Sequence, residues 1–84
     1  MNKWFVYILE CCDGSYYTGI TTDTERRLKE HNQSKQGARY TRARRPVKLV
    51  YQQCCENRSD ASKSEYRIRR LARLEKQQLI RDYE

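Results

Sequence analysis

The longest apolar run in the chain is Trp4-Phe5-Val6-Tyr7-Ile8-Leu9. A strand with one wet face alternates apolar and polar residues. This run does not, so it predicts a central strand covered on both faces. Cys12-Asp13-Gly14-Ser15 is a turn signal, and Tyr16-Tyr17-Thr18-Gly19-Ile20 returns as a second strand to make a hairpin. Thr22-Asp23-Thr24-Glu25 reads as a capping box with Thr22 as cap, opening a helix that runs to about His31 and holds chiefly Leu28 as apolar residue. Residues 33–46 are polar and basic, broken by Gly37 and Pro46, and predict a loop. Val47-Lys48-Leu49-Val50-Tyr51-Gln52 is the third strand. Ser59 or Ser62 opens a second helix, with Ala61, Ile68, Leu71 and Ala72 on one face. A last amphipathic segment runs from about Leu74 to Tyr83, with Leu79 and Ile80 inward.

The order is therefore β-β-α-β-α-α. A strand-helix-strand crossover makes the second and third strands parallel to each other. The first, most apolar strand fits between them, antiparallel to both. The fold class is α+β: a three-stranded antiparallel sheet of order 2-1-3 flanked by helices, in one domain over residues 1–84.

Composition narrows the partners. Eighteen Lys and Arg oppose 11 Asp and Glu, a net charge of +7, which favours polyanions. Seven Tyr, one Trp and one Phe supply large surfaces to bury, which argues against disorder. No signal peptide or long apolar run is present, so a cytoplasmic location with no membrane span is expected. Cys11-Cys12 and Cys54-Cys55 lack the spacing of a zinc or redox motif. They read as packing residues at strand ends, unless the two ends meet and allow a disulfide or metal.

Several segments together carry a resemblance. Val6-Tyr7-Ile8, Tyr17-Thr18-Gly19 ten residues on from Tyr7, and Glu25-Arg26-Arg27-Leu28-Lys29-Glu30-His31-Asn32 resemble the core of the GIY-YIG nucleases. Gly37-Ala38-Arg39-Tyr40-Thr41, then Arg45-Pro46 and Leu49-Val50-Tyr51, resemble the small stand-alone bacterial members and the related structure-specific endonuclease branch. Glu65 falls where that family keeps its metal-binding acid. The first motif lacks its initial Gly, and the second has Thr18 where Ile is usual.

The resemblance implies metal-dependent phosphodiester hydrolysis. Such chemistry needs an activated water, a cation on the nonbridging oxygens and help for the leaving oxygen. Glu65 would ligate one Mg²⁺ or Mn²⁺ ion, with waters completing the shell. Arg27 would place its fork on the phosphate. Tyr7 or Tyr17 would orient or deprotonate the water; a free Tyr has a pKa of about 10, so it needs help to act near neutrality. His31, four residues after Arg27, shares its helix face and could accept a proton or touch phosphate. Gly19 would allow close backbone approach. Arg39, Tyr40, Arg42, Arg44 and Arg45 would track nucleic-acid phosphates. Arg67, Arg69, Arg70 and Arg73 form a second basic cluster of undecided role.

Rival structural readings stand beside these. Tyr7 and Tyr17 could be sheet-packing aromatics. His31 could be a helix C-terminal cation. Ser62-Lys63-Ser64-Glu65 is itself a capping box that would occupy Glu65 with a backbone amide. One geometric test follows. Both tyrosines share a sheet face only if the hairpin loop has an odd length, such as Asp13-Gly14-Ser15, or carries a bulge. Three functions fit: a nuclease acting on DNA ends or structures in repair or recombination, a DNA- or RNA-binding module with little turnover, and an adaptor whose protein partner supplies specificity.

Overall fold

The computed structural model describes residues 3–84. Its elements are β1 (Trp4–Glu10), β2 (Tyr16–Thr21), α1 (Thr24–Gln33), α2 (Arg39–Arg42), β3 (Lys48–Cys55), α3 (Arg58–Arg69) and α4 (Arg73–Tyr83). The sheet has order β2-β1-β3, with β1 antiparallel to both neighbours, as the sequence pattern predicts.

The apolar run of β1 is explained by two cores. Val6 and Ile8 pack on one face with Cys55, Ala61, Ile68 and Ile80, under α3 and α4. Tyr7 and Leu9 pack on the other with Cys11 and Val47, joined by Tyr17, Leu28 and Leu49. Asn32 clamps the second layer to the sheet: its amide donates to the Val47 carbonyl (2.9 Å) and accepts the Val47 N–H (2.8 Å).

The hairpin loop is odd in length. Tyr7 pairs with Gly19 and Leu9 with Tyr17, so Tyr7 and Tyr17 lie on one face. The loop is Cys12-Asp13-Gly14, one residue earlier than Asp13-Gly14-Ser15. Cys11 accepts the Gly14 N–H and donates to the Ser15 carbonyl. Gly14, at φ +84°, supplies the left-handed residue that closes such a three-residue loop.

Other boundaries also differ from the sequence pattern. Asp23, not Thr22, caps α1, accepting the Arg26 N–H at 3.0 Å. A carboxylate is at least as good a cap as a threonine hydroxyl, so the helix frame starts one residue later. Asn57, rather than Ser59 or Ser62, caps α3 through the Asp60 N–H at 2.8 Å. Residues 33–46 are not all loop, since α2 forms within them. β3 runs on to Cys55. The buried stripe of α3 is Ala61, Ser64 and Ile68; Leu71 is only partly buried and Ala72 is exposed as the cap residue of α4. Leu79 and Ile80 do face inward.

The cysteine pairs sit at opposite ends of β1, since Cys55 pairs with Trp4 and Cys11 follows Glu10. Seven residues of strand hold them roughly 20 Å apart. All four are free thiols; Cys11 and Cys55 are buried packing residues and Cys12 and Cys54 are exposed. Among the described residues no helix is long and apolar enough to cross a membrane.

Candidate active site

β2 is an edge strand, and a cleft of about 330 Å³ lies along it, lined by Tyr16, Tyr17, Thr18, Tyr40, Glu65, Arg69 and Lys76. α2 contributes Tyr40 to one wall, while α3 and α4 contribute the acid and the two cations.

Behind Tyr17 lies a buried hydrogen-bond network. The Tyr7 hydroxyl is 2.8 Å from His31 Nε2, and His31 Nδ1 is 2.8 Å from the Thr41 hydroxyl. The Ala38 N–H also points at Nδ1, at 3.3 Å. His31 and Thr41 are fully buried and Tyr7 is 2% exposed. The network is local in origin: α1 delivers His31, and the turn into α2 wraps Ala38 and Thr41 over its far side. The rings of Tyr17 and His31 meet edge to face at 5.2 Å, and Tyr40 stacks on Tyr17 at 6.1 Å.

Tyr7 fits because Gly19 has no side chain. A Cβ at Gly19 would stand 2.5 Å from the Tyr7 oxygen and 2.8 Å from Cζ. The glycine lets the phenol lie across the neighbouring strand and reach α1.

The charges around Tyr7 are graded. Burial raises its pKa well above the usual value, with Tyr17 and Glu65 adding to the rise and Arg27 opposing it. Burial also pulls His31 down to about 4, helped by Arg27 and Arg45 and opposed by Glu30. The imidazole is therefore neutral near pH 7, so it does not serve as a helix C-terminal cation. Arg27 donates to the Glu30 carboxylate (2.8 Å) and the Gln36 carbonyl (2.9 Å).

Glu65 lies in the interior of α3, eight residues from the Asn57 cap, so it is not the capping acid of a Ser62 box. Among the described residues its carboxylate has no ion-pair or hydrogen-bond partner. A lone carboxylate facing a cleft suits a hard cation that keeps waters, such as Mg²⁺ or Mn²⁺. No three His, Cys, Asp or Glu side chains come together among the described residues, so the donor set does not match a zinc site built from protein ligands alone.

The loop cations divide. Arg45 is turned inward, where its fork donates to the carbonyls of Glu30 (3.2 Å), His31 and Ser34 (2.6 Å) at the end of α1. Arg44 pairs with Asp13 at 3.1 Å and lies 3.9 Å over the Tyr40 ring. Arg39 and Arg42 are exposed and unpaired among the described residues. From the sequence, Ala38 and Thr41 were named only as part of the Gly37–Thr41 motif and Arg69 only within the second basic cluster, and Lys76 was not singled out. Arg69 was accessible to reasoning, since it stands one helical turn after Glu65; the others depend on how the chain folds over His31 and the cleft.

Comparison with known proteins places these features in a family. Residues 3–78 match the model of the GIY-YIG catalytic domain. A UPF0213 protein of Desulfotalea psychrophila is 58% identical over 78 residues, which is 93% of this chain and 71% of that protein. A UPF0213 protein of Staphylococcus aureus is 49% identical over 82 residues, covering 98% of this chain and 99% of that one. The solution NMR structure of a protein from E. faecalis, 42% identical, superimposes with a TM-score of 0.65 over 99% of this chain and 88% of that one. That of a UPF0213 protein from Bacillus halodurans, 49% identical, gives 0.58 over 95% and 83%. The chain belongs to the GIY-YIG catalytic-domain family, with UPF0213 proteins as its close relatives.

Proposed function

We propose that the chain hydrolyses phosphodiester bonds in DNA, acting at ends or on particular structures in repair or recombination, with one Mg²⁺ or Mn²⁺ ion. The observation that carries this reading is that Arg27 and an unpartnered Glu65 both act on the buried Tyr7 of the Tyr7–His31 pair, Glu65 from the basic cleft and Arg27 from a neighbouring cleft that it lines with Thr22 and Glu30. Family membership supports it.

Glu65 holds the ion, which when bound polarises the phosphate and lowers the pKa of a water. Arg27 offers its guanidinium to the nonbridging oxygens. Tyr17, which lines the cleft, positions substrate. Tyr7 orients the attacking water; its raised pKa keeps it protonated unless added positive charge offsets its burial, and Arg27 already acts in that direction. His31 holds the Tyr7 oxygen in place. Arg39 and Arg42 contact phosphates further along the strand, whether the substrate is DNA or RNA.

A second reading is a nucleic-acid-binding module that turns over weakly or waits for a protein partner. The engagement of Arg27 by Glu30 and Gln36 favours it, because that fork must be released before it can clamp a phosphate.

The test is cleavage of single-stranded, duplex, flap and branched DNAs with Mg²⁺ or Mn²⁺, using wild type, Glu65→Ala and Arg27→Ala purified identically. Cleavage lost in both variants establishes the hydrolase. Equal activity in all three refutes this site, and salt-sensitive binding without cleavage supports the binding module.

A further inference from the structure

The arginines around the end of α3 have different fates. Arg67 donates to the Ser64 hydroxyl at 3.2 Å. Arg70 donates to the Tyr66 hydroxyl at 3.1 Å and lies over that ring. Arg73 donates to the Gly14 carbonyl at 2.9 Å and lies over Tyr16. Arg69 alone of the four has no such partner among the described residues, and it faces the cleft with Glu65. A Glu followed four residues later by an Arg is the favourable order for a helical ion pair. Here no ion pair joins them.

Lys76, one turn into α4, lines the same cleft, half-buried and also unpaired. Two cations from two helices thus converge on a space containing one carboxylate, leaving a net positive charge. Arg69 is exposed and Lys76 half-buried, and Glu65, the one carboxylate lining the cleft, pairs with neither.

We propose that Arg69 and Lys76 form a second phosphate subsite, which takes the polynucleotide phosphate next to the one placed at Arg27 and Glu65. This rests on the nucleic-acid reading of the same cleft. A guanidinium fork and a mobile ammonium together suit the several oxygens of a phosphodiester, and the tyrosine-lined walls suit a nucleotide strand. Gripping the neighbouring phosphate fixes the register of the strand, so the bond to be cut lies at Glu65 rather than one nucleotide away.

The test is binding of a fluorescein-labelled single-stranded DNA of about a dozen nucleotides, a length suited to small single-strand sites. It is run in EDTA over a salt series, so no cleavage is needed. Arg69→Gln and Lys76→Gln should each weaken binding about tenfold, as expected for a lost charged hydrogen bond. Each should flatten the salt slope by about 0.7. Arg69→Lys should recover most of the loss. Arg81→Gln, exposed on α4 and lining a different cleft, is the charge control and should cost less than about twofold. Amide NMR spectra establish that each variant is folded. Losses no greater than that of Arg81→Gln overturn the subsite, as does a wild type that binds no DNA at low salt. Cleavage of the panel by wild type with control-like binding by both variants leaves the hydrolase standing without the subsite. Binding that depends on Arg69 and Lys76, without cleavage, leaves the subsite standing without the hydrolase.

Discussion

The Tyr7 hydroxyl and His31 Nε2 lie 2.8 Å apart in the protein interior, and an amide on the far side of the ring sets which of them donates. The Ala38 N–H points at Nδ1 at 3.3 Å and is a fixed donor, so the expected tautomer has Nδ1 accepting and the ring proton on Nε2. The Thr41 hydroxyl, 2.8 Å from Nδ1, donates to the Ala38 carbonyl at 2.9 Å, but that carbonyl also accepts the Arg42 N–H, so the hydroxyl is free to turn to Nδ1 instead. In that tautomer His31 donates to Tyr7 and steadies its oxygen rather than accepting its proton. Nitrogen chemical shifts should show the Nε2–H tautomer from pH 6 upward. A shift pattern of the Nδ1–H form would reverse the roles.

The same histidine makes folding sensitive to acid. Its folded pKa of about 4 lies below the ordinary value of 6.5, so between these limits the unfolded chain binds more protons. Stability from His31 is complete above pH 6.5 and is lost as pH falls toward 4. The loss should be on the order of 3 kcal/mol. Urea unfolding at pH 7 and pH 4 should show it in wild type, and a smaller change in His31→Gln.

Gly19→Ala should damage both fold and site. The new methyl would collide with the Tyr7 hydroxyl and ring. Overpacking of this kind costs about 1–3 kcal/mol. Chemical denaturation should show that loss, and the Tyr7–His31 bond should be displaced with it, lowering any cleavage. An unchanged midpoint would mean that the sheet edge yields freely.

Arg45 and its neighbours should separate by function. Arg45→Ala removes the donors to the end of α1 and should cost about 2 kcal/mol of stability. Arg39→Gln and Arg42→Gln should change stability by less than about 0.5 kcal/mol, while flattening the salt dependence of DNA binding. Thermal melts beside binding isotherms check both halves.

The frame of α1 gives the simplest contrast. Asp23→Ala should destabilise by about 1 kcal/mol, since its side chain caps the helix. Thr22→Ala should be nearly neutral. The opposite ranking in urea unfolding would restore Thr22 as the cap.

The sequence by itself determined the sheet. A run without alternation must be buried on both faces, so Trp4–Leu9 had to be central, and the order 2-1-3 followed from the crossover. Tyr7, Tyr17, Arg27, His31 and Glu65 were legible as a set because their residue types and order match a family pattern. Local competition was less legible. Asp23 against Thr22, and Asn57 against two serines, differ by tenths of a kcal/mol in capping strength, below what pattern can resolve. Only the tertiary structure decided which cations are free. Seven arginines in residues 39–45 and 67–70, namely Arg39, Arg42, Arg44, Arg45, Arg67, Arg69 and Arg70, look alike in sequence. A guanidinium's partner, however, is set by carbonyls and rings that folding brings from elsewhere: α1's end for Arg45, Asp13 for Arg44. The same holds for His31, whose neutrality comes from burial beneath α2, a contact no spacing along the chain encodes.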